Sequence, residues 1–517
     1  MAVSTSPQAT TTQQTTAAPV GVRVWLAGAA VLGFSLLLFS FVQFATPGLA
    51  GNDGYYHIKV AYEMRQEGLT PEFDALPLTI LNADDYYDHH FLYHLYLALF
   101  ATTDPALDGG AGLTTGAKVA SIILPSLAFV AVWWLLRSQR VPYAILWTLG
   151  LFAVSEAFLY RMSMPRAQAG ALLLLVVGLQ LLLSRRYVWL APLGFAFVWF
   201  YNAFPLLMVV AVVYVAAVLL SERRLAWQAV VFPALGIGLG LLINPYFPEN
   251  IQFIISHLVP KLGEPAVPVG NEWSPYRTWT LVENSGFALL ALVLGVLAVG
   301  WQRDRMDLRT LVAFLLAAVF GLMLFQSRRF VEYFPPFALL FLAFAAAPLL
   351  TSWSAQLRER HPAAAGALPL LMLALLAWPV YQSTADARAL MRDSKPADQY
   401  AAAALWLRTE APAGAMIFQT DWDDFPRQYF YNSDVSYVAG LDPTFLQLRD
   451  QALYDEWVAV TRGKGDSMSQ VIAERFGAAY VFSDLSHDDF IDRAEDDPNL
   501  EEIYRDEYAV IYQVSRP

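Results

Sequence analysis

A chain of 517 residues that is 57% hydrophobic and 15% charged, with a mean hydropathy of +0.42, is too apolar for a soluble globular protein. It has no cysteine, which excludes disulfides and thiolate metal sites. The net charge of −12 resides in the C-terminal tail: residues 382–517 hold 25 Asp and Glu against 12 Lys and Arg, or −13, leaving about +1 for the rest. Such an acidic surface argues against nucleic acid and anionic headgroups as partners.

In chain order, residues 1–22 form a Ser/Thr/Gln/Ala tract with no basic n-region before its end, which predicts a disordered cytoplasmic N-terminus and not a signal peptide. From 23 to 381 apolar runs long enough to span a bilayer recur, and only a helix satisfies its own backbone in hydrocarbon. The expected spans are 23–46, 118–136, 144–160, 167–184, 187–203, 204–220, 226–244, 286–301, 309–325, 335–353 and 363–381. Alternate short loops carry Arg137 and Arg140, Arg185 and Arg186, Arg223 and Arg224, Arg303 and Arg305, and Arg358 and Arg360. The positive-inside bias makes those loops cytoplasmic. The outer loops 47–117 and 245–285 and the tail 382–517 then lie on the other side. The run "FLYHLYLALFA" (91–101) is short and carries His94; it reads as a helix on, or dipping into, the outer surface.

The tail alternates short strand patterns ("GAMIFQT", "SYVAG", "AAYVFSDL", "YAVIYQV") with helical ones ("QYAAAALWLRTEA", "SMSQVIAERFG"), predicting a small α/β domain outside the membrane. The expected whole is an α-helical polytopic membrane protein of about 11 transmembrane helices, surrounded by membrane lipids, with a soluble C-terminal α/β domain.

Polar chemistry collects in the outer loops. Four of the seven His (His57, His89, His90 and His94) lie in the first, beside Asp84, Asp85 and Asp88 of "NADDYYDHH". Carboxylates and imidazoles so spaced can hold a divalent cation, and carboxylate oxygens suit Mg²⁺ or Mn²⁺. The alternative is a hydrated loop with incidental charges. Asp53, in "GNDGYYHIKVAYEMR", stands just past the first span, where an ionisable group is costly and often functional. "VGNEWSPYRTW" (269–279) places Glu272 among tryptophans. "QSRRFVEYFPPF" (326–337) places Arg328 and Arg329 at the outer end of a span, where they call for an anionic partner or else anchor to lipid headgroups.

These stretches resemble the catalytic subunit of N-linked oligosaccharyltransferases, within the polytopic glycosyltransferases of the GT-C superfamily. "GNDGYYHIKVAYEMR" resembles the first-loop acidic motif, "YRMSMPRAQAG" (160–170) the start of the second outer loop, and "FVWFYNAFP" (197–205) the outer end of the fifth helix. "EWSPYRTW" resembles the Glu-x-x-Pro…Trp element, "RRFVEYF" the Arg-Phe-x-x-Tyr helix start, and "TDWDDFPRQYFYNSDVSYVAG" (420–440) stands where the family has WWDYG. Six such elements in the same order cover about residues 50–440.

The resemblance implies transfer of a sugar or glycan from a polyprenyl (pyro)phosphate donor to a protein or glycan acceptor. It also implies roles: Asp53 and Glu272 as catalytic and metal-binding acids, Arg329 facing the lipid phosphate with Arg328 beside it, and Asp53 as the base. Tyr56 and His57 would line the sugar or acceptor side, with Trp422 and Asp423 from the altered WWDYG element. For Tyr56 an interfacial aromatic belt remains the plainer explanation, and His57 also reads as flanking a surface helix.

The departures are equally specific. The acidic pair of the family's second outer loop is missing, and Arg166 of "MPRAQAGA" stands in that stretch. Replacement ligands would be Asp88, His89, His90 or His57; otherwise Arg166 substitutes for the metal's charge at the phosphate. "DWDDFP" lacks the second Trp and the Gly, which puts protein N-glycosylation in question, and the family's usual span number is thirteen. Two alternatives stay open beside the leading reading: a true oligosaccharyltransferase acting on Asn-x-Ser/Thr, and an inert relative that binds or translocates lipid-linked sugars.

Overall fold

The computed structural model describes residues 21–258, 270–302, 306–465 and 467–515. The expected disordered residues 1–20, part of the second outer loop, and Arg303 and Arg305 lie outside the described residues. The chain is a helical membrane protein with a small C-terminal sheet. Among the described residues, seven helices are long and apolar enough to cross a bilayer: Val24–Gln43, Ala111–Ser138, Pro205–Glu222, Thr278–Gln302, Leu308–Gln326, Phe334–Arg360 and Gly366–Arg392. An eighth passes if the pair Ala144–Phe152 and Glu156–Ser163, bent by 84°, counts as one span. The expected spans 167–184, 187–203 and 226–244 fall on shorter apolar helices, Gln168–Leu183, Tyr187–Phe200 and Gln228–Leu242.

The bend has a local cause. Ser155 is extended (φ −169°), and its hydroxyl accepts the Phe158 N–H at 3.0 Å, starting a new helix where a straight span was expected. That new helix carries Arg161 towards the outer loops instead of ending before it.

The first long loop, 47–117, is folded. It contains the helices Asp53–Glu67 and Phe91–Ala98, which pack together. Phe91–Ala98 has 8 residues, far short of the thickness of a bilayer. Most of Asp53–Glu67 is buried, including His57, Lys59 and Glu63.

Five strands form one sheet in the order β2-β1-β3-β5-β4: β1 (Met416–Gln419), β2 (Ser436–Tyr437), β3 (Tyr480–Asp484), β4 (Leu500–Arg505) and β5 (Ala509–Val514). β1 runs parallel to β2 and β3, while β5 pairs antiparallel with β3 and β4. The parallel core agrees with an α/β tail. β4 has no counterpart among the expected strands, because LEEIYR is an edge strand with three exposed positions, two half-buried and only Leu500 buried.

The helix Pro362–Arg392 runs straight through position 382, where the tail was expected to start. The tail is also docked on the first outer loop. Buried Arg427 donates to Asn52 Oδ1 (2.9 Å) and to the Pro396 carbonyl (2.7 Å), and lies 4.3 Å from the Tyr55 ring centre. Tyr429 donates its hydroxyl to Glu63.

Candidate active site

Two glycines let the first loop close on the segment after the bend. Gly51 has φ +72°, a left-handed conformation that favours glycine. A Cβ on Gly54 would lie 2.1 Å from Pro165 Cγ, so only glycine allows this approach. The result is that Asp53, at the start of its helix, meets Arg166 with Nη2 to Oδ2 at 2.5 Å. A carboxylate in the first helical turn is also favoured by the helix dipole.

Arg166 is one of three arginines on Glu272. Arg166 Nη1 donates to Oε2 at 3.1 Å, Arg161 Nη1 to the same oxygen at 2.8 Å, and Arg329 Nη1 to Oε1 at 3.2 Å. Arg161 Nε also donates to buried Glu332 at 2.8 Å, and Arg329 Nη2 to the Tyr201 hydroxyl at 2.5 Å. The Arg329 guanidinium lies 5.0 Å from the Trp273 ring centre. Glu272 is fixed from behind, because the Ser327 hydroxyl donates to its carbonyl at 2.9 Å and the Arg328 N–H to the Ser274 carbonyl at 3.1 Å. Burial alone would raise the Glu272 carboxyl, but Arg329, Arg161 and Arg166 hold it well below the usual carboxylate range.

These groups face a cavity of about 590 Å³. Of the residues singled out in the sequence, Asp53, Tyr56, His57, His89, His90, Arg166, Glu272, Arg329, Trp422 and Asp423 line it. The tail therefore closes one side of a cavity otherwise made by the two long loops and the ends of the neighbouring helices. Asn52 ties the two together, donating to Asp423 Oδ2 at 2.7 Å. Burial, with the Asp53 charge adding to it, pushes the Asp423 carboxyl up to about 6.

Two residues stand elsewhere. Arg328 is outside the cavity, donating to the Pro275 carbonyl at 3.2 Å and lying over Tyr276. Asp88 is buried behind the wall: Oδ1 accepts the His90 N–H at 2.9 Å and Oδ2 meets His94 Nδ1 at 2.8 Å. His89 lies on the wall, stacked on Phe253 at 5.2 Å. Asp53, Glu272, Asp88 and His89 thus do not form one oxygen-rich metal site. Both oxygens of Glu272 and one of Asp53 are held by guanidinium groups, and Asp88 is turned away. A hard cation needs several convergent oxygens. The residues present do not fit an Mg²⁺ or Mn²⁺ ion in this arrangement.

Arg161, Glu332 and Tyr201 were missed in the sequence, although each lies in a stretch quoted above. The usable signal was a second arginine, five positions before Arg166, on the side expected to be outer, where arginine is disfavoured.

Comparison with solved structures gives the fold a context. The Archaeoglobus fulgidus oligosaccharyltransferase in its apo form superposes with a TM-score of 0.64 at 15% identity, over 88% of this chain and 69% of that one. The same organism's AglB in complex with an inhibitory peptide and a dolichol-phosphate gives a TM-score of 0.66 at 14% identity, over 89% and 69%. The chain has the oligosaccharyltransferase fold. ArnT from Cupriavidus metallidurans bound to undecaprenyl phosphate is also similar, with a TM-score of 0.54 at 13% identity, over 95% of this chain and 98% of that one. No sequence family model matches the chain. No curated protein matches it significantly by sequence.

Proposed function

We propose that this chain is a membrane glycosyltransferase that transfers a sugar or glycan from a polyprenyl (pyro)phosphate donor to a protein or glycan acceptor on the extracytoplasmic side. The observation that carries the reading is the convergence of Arg161, Arg166 and Arg329 on a cavity wall that also holds Asp53 and Glu272. Guanidinium forks match phosphate oxygens, and in a partly dry cavity they stabilise charge on a departing phosphate. The solved relatives add weight: one was captured with dolichol-phosphate, one with undecaprenyl phosphate, and a third with a tethered acceptor peptide containing an NVT sequon.

In this reading the acceptor's nucleophilic atom attacks the anomeric carbon while the bond from that carbon to the phosphate oxygen breaks. The leaving phosphate takes over guanidinium donors from the carboxylates. Asp53, released from Arg166, receives the acceptor's proton. Trp422, Asp423, Tyr56 and His57 then border the sugar and acceptor, and Arg329 is the phosphate ligand backed by Tyr201 and Trp273. The eleven expected helices, the cytoplasmic N-terminus and the extracytoplasmic tail complete the proposal, in the inner membrane of the cell.

A narrower version, N-glycosylation of Asn-x-Ser/Thr, draws support from Trp422 and Asp423 reaching the cavity. The test is release of polyprenyl phosphate or pyrophosphate from extracted lipid-linked sugars by protein in nanodiscs, without added Mg²⁺ or Mn²⁺. Release is expected from wild type and lost in Asp53→Asn and Arg329→Ala. Failure to release from any donor pool, despite lipid binding, would favour the inert or translocating alternative.

A further inference from the structure

At the cavity wall lies a histidine cluster of which this reading uses only His57, as a border to the sugar and acceptor. His57 comes from the helix Asp53–Glu67, and His90 and His94 stand one turn apart at the start of Phe91–Ala98. The i, i+4 spacing puts His90 and His94 on one face of that helix, turned towards His57. One ring nitrogen from each lies within 4.8 Å of the other two. All three rings are buried, with His94 fully so. His57 and His90 also line the cavity, whereas His94 does not.

Two details mark the cluster as a ligand set. First, His94 Nδ1 meets Asp88 Oδ2 at 2.8 Å, which turns His94 Nε2 inward, 2.8 Å from His57 Nδ1. A carboxylate behind a histidine is the arrangement that fixes the tautomer and raises the basicity of a metal-ligating imidazole. Second, His90 Nδ1 is buried without a hydrogen-bond partner among the described residues, while Tyr201 stacks on its ring at 5.2 Å and holds its orientation. An orphaned buried nitrogen carries a desolvation penalty that a metal bond would remove.

We propose that His57, His90 and His94 bind a transition-metal ion of the Zn²⁺ class, with Asp88 orienting His94 and an open coordination position facing the cavity. Three imidazoles with no thiolate and no carboxylate in direct contact suit Zn²⁺, Co²⁺ or Ni²⁺ and not Mg²⁺ or Ca²⁺. Metal–nitrogen bonds of about 2.0–2.1 Å in a tetrahedral site separate ligand nitrogens by roughly 3.4 Å, so loading needs only small ring movements. The proton shared between His57 and His94 would move to the outer nitrogen of His57. The site is distinct from the Asp53–Glu272–arginine cluster, and it stands whether or not the chain transfers sugars.

The experiment uses full-length protein purified through a tag without histidines, incubated with Zn²⁺ or Co²⁺ and desalted. Metal is measured by mass spectrometry, and Co²⁺ by its visible absorption. The expected result is stoichiometric metal in wild type and in His487→Ala, loss in His90→Ala, and affinity about 10- to 100-fold weaker in Asp88→Asn. His487→Ala is the control, because Asp421, Asp484 and His487 form the other metal-capable group among the described residues. Should His90→Ala not fold, the Co²⁺ spectrum of wild type decides alone, since tetrahedral nitrogen ligation gives intense visible bands. Wild type that retains no metal, or metal lost only in His487→Ala, would overturn the proposal.

Discussion

Removing Arg166 tests whether guanidinium charge serves where the sequence resemblance implies a cation. Arg166 bonds Asp53 Oδ2 at 2.5 Å and Glu272 Oε2 at 3.1 Å, with its side chain 18% exposed and the two carboxylates 30% and 27% exposed. Breaking a fully buried pair costs about 3–5 kcal/mol, and partial exposure lowers this to about 2–3 kcal/mol for Arg166→Ala. The kinetic effect should be of similar size, since loss of one preorganised donor slows transfer about a hundred- to a thousandfold. The assay is polyprenyl (pyro)phosphate release in nanodiscs, run beside thermal unfolding. In the variant Asp53 and Glu272 have lost a shared cation, so added Mn²⁺ should recover at least about tenfold of the lost rate while leaving wild type unchanged. Near-normal turnover in Arg166→Ala, or equal stimulation of both proteins by Mn²⁺, would refute the reasoning.

Four further outcomes follow from other parts of the structure. The Asp423 carboxyl is held up at about 6, above its unfolded value of about 3.9, so the stability it contributes is present at low pH and lost as pH rises through about 6. Asp423→Asn should therefore gain in thermal stability over wild type at about pH 8 and not at about pH 5; a difference independent of pH would contradict this. Gly54→Ala drives a Cβ into Pro165 and should cost about 1–3 kcal/mol while parting Asp53 from Arg166, read as lost transfer with retained membrane insertion. Arg427→Ala removes the buried tie from the tail to Asn52 and Pro396 and should expose the tail to limited proteolysis; unchanged cleavage would deny that tie its role. Because the chain lacks cysteine, Gln470→Cys should react with an impermeant thiol reagent from outside, and Arg186→Cys only after permeabilisation. The reverse pattern would invert the proposed topology.

Much of the fold was legible because burial in lipid leaves long apolar runs, and because the parallel strands of the tail are continuous apolar stretches. What escaped detection was set by geometry between distant segments. Arg161 looked like the end of a straight span until the Ser155 cap redirected the chain. β4 carries Glu501, Glu502 and Arg505, so no strand pattern marks it. Asp88 beside His89 and His90 read as a cation ligand, since spacing along the chain does not reveal that the next helix turns His94 onto its carboxylate. Asp53 and Arg329, which line one cavity with Glu272, stand out in the sequence because a charge near the membrane surface is costly and arginine is disfavoured on the side expected to be outer.

The docking of the tail orders events in the life of the molecule. Trp422 and Asp423 close the cavity, yet they are synthesised hundreds of residues after Asp53, to whose neighbour Asn52 the tail is tied. A nascent chain can insert its spans and gather its arginines while the cavity still lacks a side. Under the proposed function, sugar and acceptor would be held together only after the tail has folded and settled on the first loop. On that reading, a chain that ends before residue 420 would lack the wall that Trp422 and Asp423 supply, and with it the closed cavity.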